Sequence, residues 1–107
     1  SLLCQSYCEN NNFKIFAEET EIRTVNHQPS LYDLCFGTYK GKIDLVVMIS
    51  LQLLPENKNK RLSLLEKLRK ENFELHFVLE DFHFVKGTSI NEALKAYDDS
   101  INLNIND

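Results

Sequence analysis

No apolar run in this chain approaches the ~18 residues that a membrane-spanning helix needs, so no span is expected. No charged-then-apolar leader opens it either. Its first residues, SLLCQSYC, are too short and too polar for a signal peptide, which sets the expectation of an unexported, cytoplasmic chain. Internal repeats and low-complexity linkers are absent, and no Gly-rich phosphate cradle precedes a helix. Cysteine occurs 3 times, an odd number that reads as free thiols in a reducing compartment rather than a disulfide frame. Cys4 and Cys8 are four apart and can share a helix face, but no second Cys or His pair stands at ligand spacing. His27, His76 and His83 are scattered singly. A structural zinc needs four ligands, so neither a metal nor a cofactor is expected.

What is present has the balance of an ordinary globular protein. The 107 residues are 43% hydrophobic and 26% charged, enough for one domain over 1–107 with a single modest core. The net charge of −4 argues against general affinity for a polyanion, yet it is unevenly spread. Between Lys58 and Lys70 lie Lys58, Lys60, Arg61, Lys67, Arg69 and Lys70 against Glu66 alone. That stretch carries +5, which leaves −9 for the remainder. Such a stripe can face the phosphates of DNA, with Lys58, Lys60, Arg61, Lys67 and Lys70 as the contacts; the plainer reading is a solvated helix face.

The pattern along the chain alternates helix and strand. Leu2 to Asn11 reads as a helix closed by the asparagine run Asn10-Asn11-Asn12. Phe13 to Ala17 alternates and is rich in aromatic and β-branched residues, which predicts a short strand. Glu18 to His27 lacks periodicity and reads as a long loop. Pro29 and Ser30 start a helix, with Asp33 three residues after Ser30, Leu31, Leu34 and Cys35 as its apolar stripe and Gly41 as its stop. Asp44 to Ser50 is apolar on both faces, the mark of a central parallel strand. Asn57 to Glu71 is helical, with Leu62, Leu65 and Leu68 recurring every three residues. Phe73 to Leu79 is the next strand. Ser89 and Glu92 form a capping box for a last helix through Asp99, and the tail 101–107 is expected to fray. This order predicts an α/β, three-layer domain with a mostly parallel sheet.

Ligands of open parallel sheets bind beyond the carboxyl ends of the strands. Three segments qualify: Glu18 to His27, Gln52 to Asn57, and Glu80 to Thr88. The first carries Glu18, Glu19 and Glu21, the third Glu80, Asp81 and His83. Carboxylates so grouped can hold Mg²⁺ or act as a general base, but acidic loop residues are more often simply solvated. Phe82 and Phe84 flank His83 and are read as capping the core rather than stacking on bases.

Pro29, Leu31, Leu34 and Cys35, followed by Gly41-Lys42-Ile43-Asp44-Leu45-Val46-Val47, resemble a known pattern. It is Arg-Pro-x-Leu-x-x-Leu-Leu, a short spacer, then Gly-Lys-Ile-Asp and a valine-rich strand. Leu51-Gln52-Leu53-Leu54-Pro55-Glu56-Asn57 then lies on a Leu-Asp-Arg-Leu-Ser-Arg-Asn segment. Leu62 to Asn72 and Phe73 to Glu80 follow as helix and strand. Together these resemble the N-terminal catalytic domain of serine recombinases, the resolvase and invertase group, over nearly the whole chain. The resemblance implies a resolvase-like fold and an ancestral site-specific DNA recombination activity. In that chemistry a serine attacks a phosphodiester while arginines stabilise the developing charge.

The departures fall on the site. The family's first strand, which carries the nucleophile, would precede Ser1. Its catalytic positions are occupied here by Gln28, Gln52, Leu53 and Glu56, and its loop serine by Pro55. Arg→Leu removes a bidentate phosphate clamp, and Arg→Glu places repulsion where attraction is needed. The resemblance therefore implies a degenerate domain without strand cleavage, an assembly module for a protein partner, a second copy of itself or DNA. The alternative is a fragment of a divergent recombinase whose nucleophile lies outside this chain. An unrelated small α/β domain of flavodoxin type is the third reading.

Overall fold

A computed structural model describes residues 1–18 and 30–105, with side chains as far as Asn102. The chain falls into two compact units, Ser1–Ile43 and Asp44–Asp107.

In the first unit, α1 spans Leu2–Asn10 and is capped by Ser1, whose hydroxyl accepts the Cys4 amide at 3.3 Å. Its far end closes on the expected asparagines. Asn12 takes a left-handed φ of 58°, its amide reaches the Glu9 carbonyl, and the Phe13 amide reaches the Cys8 carbonyl at 2.9 Å. That pair of bonds is a Schellman closure, for which asparagine is the usual substitute for glycine. The expected strand over Phe13 to Ala17 does not form. Alternation supports a strand only where a neighbour supplies a ladder, and residues 13–18 have none among the described residues. Phe13 instead packs its ring 6.1 Å from Tyr7, and Phe16, 58% exposed, lies edge-on to Tyr39.

The segment 19–29 lies outside the described residues, and with it most of the long loop, Gln28 and Pro29. Ser30 caps the next helix as its spacing predicts, accepting the Asp33 amide at 3.1 Å. The helix departs from expectation after one turn. α2, Leu31–Asp33, widens into a π-helical turn over Leu34–Thr38, where the Tyr39 amide reaches back five residues to Leu34. Gly37 sits inside this turn, where glycine weakens a regular α-helix. Leu31 and Cys35 are the residues that this segment buries. Gly41, at φ +76°, occupies the left-handed region that suits glycine.

The second unit holds a three-stranded sheet in the order β1-β2-β3, made of β1 Leu45–Met48, β2 Glu74–Phe77 and β3 Phe82–Phe84. β1 and β2 are parallel, with Val47 beside His76, and α3 (Lys58–Lys70) connects them. β2 and β3 are antiparallel, with His76 opposite His83. The sheet is therefore mixed, not mostly parallel. The chain leaves β2 through a tight turn at Val78–Asp81 rather than a crossover helix, with Asp81 at φ 50°. Short polar residues tolerate that conformation better than most, so a hairpin forms without glycine.

β1 also sits at an edge of the sheet, not at its centre, and Leu45 to Met48 are all half-buried. The central strand is β2, whose Leu75 and Phe77 join Phe84, Leu64, Leu65 and Leu68 in the core. Leu79, expected as the last residue of this strand, lies past it in the turn and is 62% exposed. α3 ends as α1 does: Asn72 has φ 61°, and the Phe73 amide reaches the Leu68 carbonyl at 2.9 Å. α4 spans Ile90–Ile105 behind the predicted Ser89–Glu92 capping box, with the Glu92 amide on the Ser89 hydroxyl at 3.0 Å. It continues well past Asp99 into the segment expected to fray. Ala93, Tyr97 and Ser100, on one face at helical spacing, are buried and anchor it.

Candidate functional site

The carboxyl end of β1 leads into a 3₁₀ turn over Leu51–Leu53, the place where the sequence puts its candidate loop. The turn is held by a side chain 30 residues away. Glu80, in the β2–β3 turn, accepts the Ser50 hydroxyl at 2.7 Å with one oxygen and the Leu51 amide at 2.9 Å with the other. The Ser50 oxygen in turn accepts the Gln52 amide at 3.1 Å. A serine beside a carboxylate at this distance has the outline of a nucleophile and its base. Here both oxygens of Glu80 and the hydroxyl of Ser50 are engaged in closing the backbone turn, which is the role of a cap.

The positions to which the resemblance assigns chemistry are occupied as follows. Gln52 is exposed, and its side-chain amide nitrogen reaches the Ser100 carbonyl of α4 at 3.3 Å. Leu53 is half-buried between the buried Leu51 and Leu54, and Glu56 is exposed. Gln28 lies outside the described residues. Gln52, Leu53 and Glu56 place no cation in this turn.

The basic stretch separates into two sets. Arg61 is 3% exposed and belongs to the inner face of α3, in line with Leu64, Leu65 and Leu68. Its guanidinium stacks 3.9 Å over the Tyr97 ring and donates to the carbonyls of Pro55 and Glu56, each at 3.0 Å. Asp98 stands 3.7 Å from it, and its Nε is buried with no partner among the described residues. Arg69 donates to the carbonyls of Lys86 and Thr88 and lies 4.7 Å over Phe84, which fixes the chain between β3 and α4. The arginines of the stretch are thus structural struts, and Arg61 is not placed to touch DNA.

The lysines form the second set. Lys58, Lys60 and Lys70 are exposed and Lys67 is half-buried. Lys60, Lys67 and Lys70 recur at helical spacing along one side of α3, whereas Lys58 lies on the opposite flank. Asn57 caps this helix through the Lys60 amide at 3.0 Å. Lys67, Arg69 and Lys70 complement the negative end of the helix dipole; no acidic residue occupies the first turn.

Sequence reasoning missed Glu80 as the keeper of the β1 turn, having grouped it with Asp81 and His83 as a carboxylate cluster. The segment Glu80 to Thr88 is a hairpin return and its flanking turn, in which Thr88 bonds both the His83 carbonyl and the Val85 amide. Among the described residues no group of three or more His, Cys, Asp or Glu could hold a metal ion. No described helix is long and apolar enough to cross a membrane. Burial pushes the Cys35 thiol up to about 11 and also raises Cys8, where the neighbouring Cys4 and Glu18 add to the effect. His76 is held below the ordinary histidine range, first by burial and then by the charge of His83, against the pull of Glu74. No protein family, no curated protein and no solved structure matches the chain.

Proposed function

We propose that this chain is a degenerate serine-recombinase-like domain, without strand-cleavage activity, that acts in protein–protein or DNA-associated assembly. The observation that carries the reading is the state of the turn after β1. The Ser50 hydroxyl and the Leu51 amide are taken by Glu80 and the Gln52 side chain by Ser100, while Leu51 and Leu54 are buried. The resemblance puts phosphate-holding arginines at Leu53 and Glu56. Removing such groups costs a few kcal/mol of transition-state stabilisation each, about 10²–10³ in rate per group. The parallel β1–α3–β2 unit agrees with the helix and strand that the resemblance implies for Leu62 to Glu80.

Mixing the protein with supercoiled DNA, denaturing it and probing for covalently attached chain tests the reading. The expected result is no adduct. A phosphoserine-linked product would replace the reading with that of a divergent site-specific recombinase. The DNA-associated branch has its own test in the lysine side of α3. Binding through Lys60 and Lys70 falls linearly in log–log form with added salt, and K60Q/K70Q lowers that slope by about 2. Salt-insensitive binding, or none, leaves protein–protein assembly as the role.

A further inference from the structure

His76 and His83 face each other across the antiparallel strands β2 and β3. Their rings stack, with centroids 4.6 Å apart and planes inclined by 26°. His76 is 8% exposed, the central strand's one buried polar side chain. Val47 of β1 stands on its other side in register, so that strand brings no charge opposite it. A carboxylate stands at each end of the pair. Glu74 Oε2 is 3.4 Å from His76 Nε2, and Asp81 Oδ1 is 3.4 Å from His83 Nε2. The same turn that carries Asp81 carries Glu80, whose carboxylate holds Ser50 and Leu51.

We infer that the β2–β3 hairpin is an acid-sensitive latch: protonation of the stacked His76–His83 pair loosens it and frees the Ser50–Leu51 turn that Glu80 holds. Two neutral imidazoles stack without penalty, whereas two imidazolium ions at this separation repel inside a partly desolvated strand pair. Glu74 offsets the repulsion at His76, and it is burial that leaves the charged form of His76 disfavoured. The side chains of Glu74 and Asp81 are 43% and 86% exposed, so water screens their attraction, while His76 bears the full cost of its burial. β3 is only three residues long, which leaves few ladder bonds to resist.

The direction of the pH dependence follows from His76. Its folded value lies below its unfolded one near 6.5. The unfolded chain therefore binds more protons in the window beneath 6.5, and stability falls as pH drops through it. Stability from this residue is complete above that window. Histidine is the side chain that titrates here, so the loss precedes the ordinary carboxylate range.

Histidine ring NMR of the full chain, thermal unfolding and amide exchange between about pH 7.5 and 5.5 test the latch. His76 is expected to titrate below its unfolded-chain value, and Tm to fall across the interval by about 3 °C or more. Protection factors of Leu51 and Phe84 are expected to decline together. His83→Gln raises the His76 midpoint by removing the like charge, and His76→Gln flattens the Tm loss. A His76 midpoint at or above its unfolded value near 6.5, or a Tm unchanged over the interval, overturns the proposal. So does Leu51 protection that persists while that of Phe84 is lost. Should His76→Gln fail to fold, the titration and exchange of the unaltered chain decide alone.

Discussion

Arg61 illustrates how little a charge count says about a side chain. In the sequence it is one of six cations in a row; in the fold it is a buried strut beneath Pro55, Glu56 and Tyr97. The signal for this was present in the spacing. Arg61, Leu64, Leu65 and Leu68 fall on one helical face, and the run Leu62, Leu65, Leu68 drew attention away from it. Arg61→Ala leaves two carbonyls without their donor and opens space against Tyr97. A loss of about 2–4 kcal/mol is expected, read in urea as a lower midpoint at unchanged m. Lysine does not rescue it, because an ammonium has no planar group to lay over the Tyr97 ring while it donates to the carbonyls. Cysteine reactivity makes a second test at this scale. Cys35 is fully buried with its thiol raised to about 11, and Cys8 is buried, while Cys4 is half-exposed. Limited alkylation at neutral pH should mark Cys4 first and Cys35 only on unfolding, as mass spectrometry of tryptic fragments would show.

Elements were legible where a local signal decides them and obscure where a neighbour does. α1, α3 and α4 follow their caps and apolar periods, and the asparagines at 12 and 72 end two helices by the same pair of backbone bonds. Strands depend on who pairs with whom. Phe13 to Ala17 has strand composition and finds no ladder among the described residues, and Asp44 to Ser50 looks central because it is apolar on both faces, yet β1 lies at an edge of the described sheet. The β2–β3 hairpin escaped notice because its turn, Val78-Leu79-Glu80-Asp81, contains neither glycine nor asparagine. It depends on Asp81 in the left-handed region. Asp81→Val should cost about 1–2 kcal/mol of stability and Asp81→Gly should cost nothing or stabilise slightly, as measured by chemical denaturation. Packing sets the larger numbers. Leu65→Ala, at a wholly buried position, should cost about 2–5 kcal/mol by the same assay.

For the whole molecule, the α/β class was readable from the alternation of patterns, but the strand directions were not. Periodicity reports which residues share a face and is silent on whether the chain returns by a helix or a hairpin. The turn at the end of β1 was readable in sequence as a break after an apolar strand, and its content was half legible. Gln52, Leu53 and Glu56 can be seen to lack phosphate-binding groups, whereas the bonds that close the turn join residues far apart in the chain. Ser50 is held from Glu80 and Gln52 from Ser100. Such bonds leave no trace in local spacing.

That same tether has a kinetic meaning. The local bonds of the turn, from the Gln52 and Leu53 amides to Ser50, do not tie it to the sheet; the carboxylate that does so lies beyond α3 and β2, in the turn where the chain reverses. The turn should therefore be among the last parts of the second unit to order. In the language of transition states, its contacts are made on the native side of the barrier. Glu80→Ala should leave the refolding arm of a chevron where it is. The lost stability, about 1–3 kcal/mol, should appear almost wholly as faster unfolding.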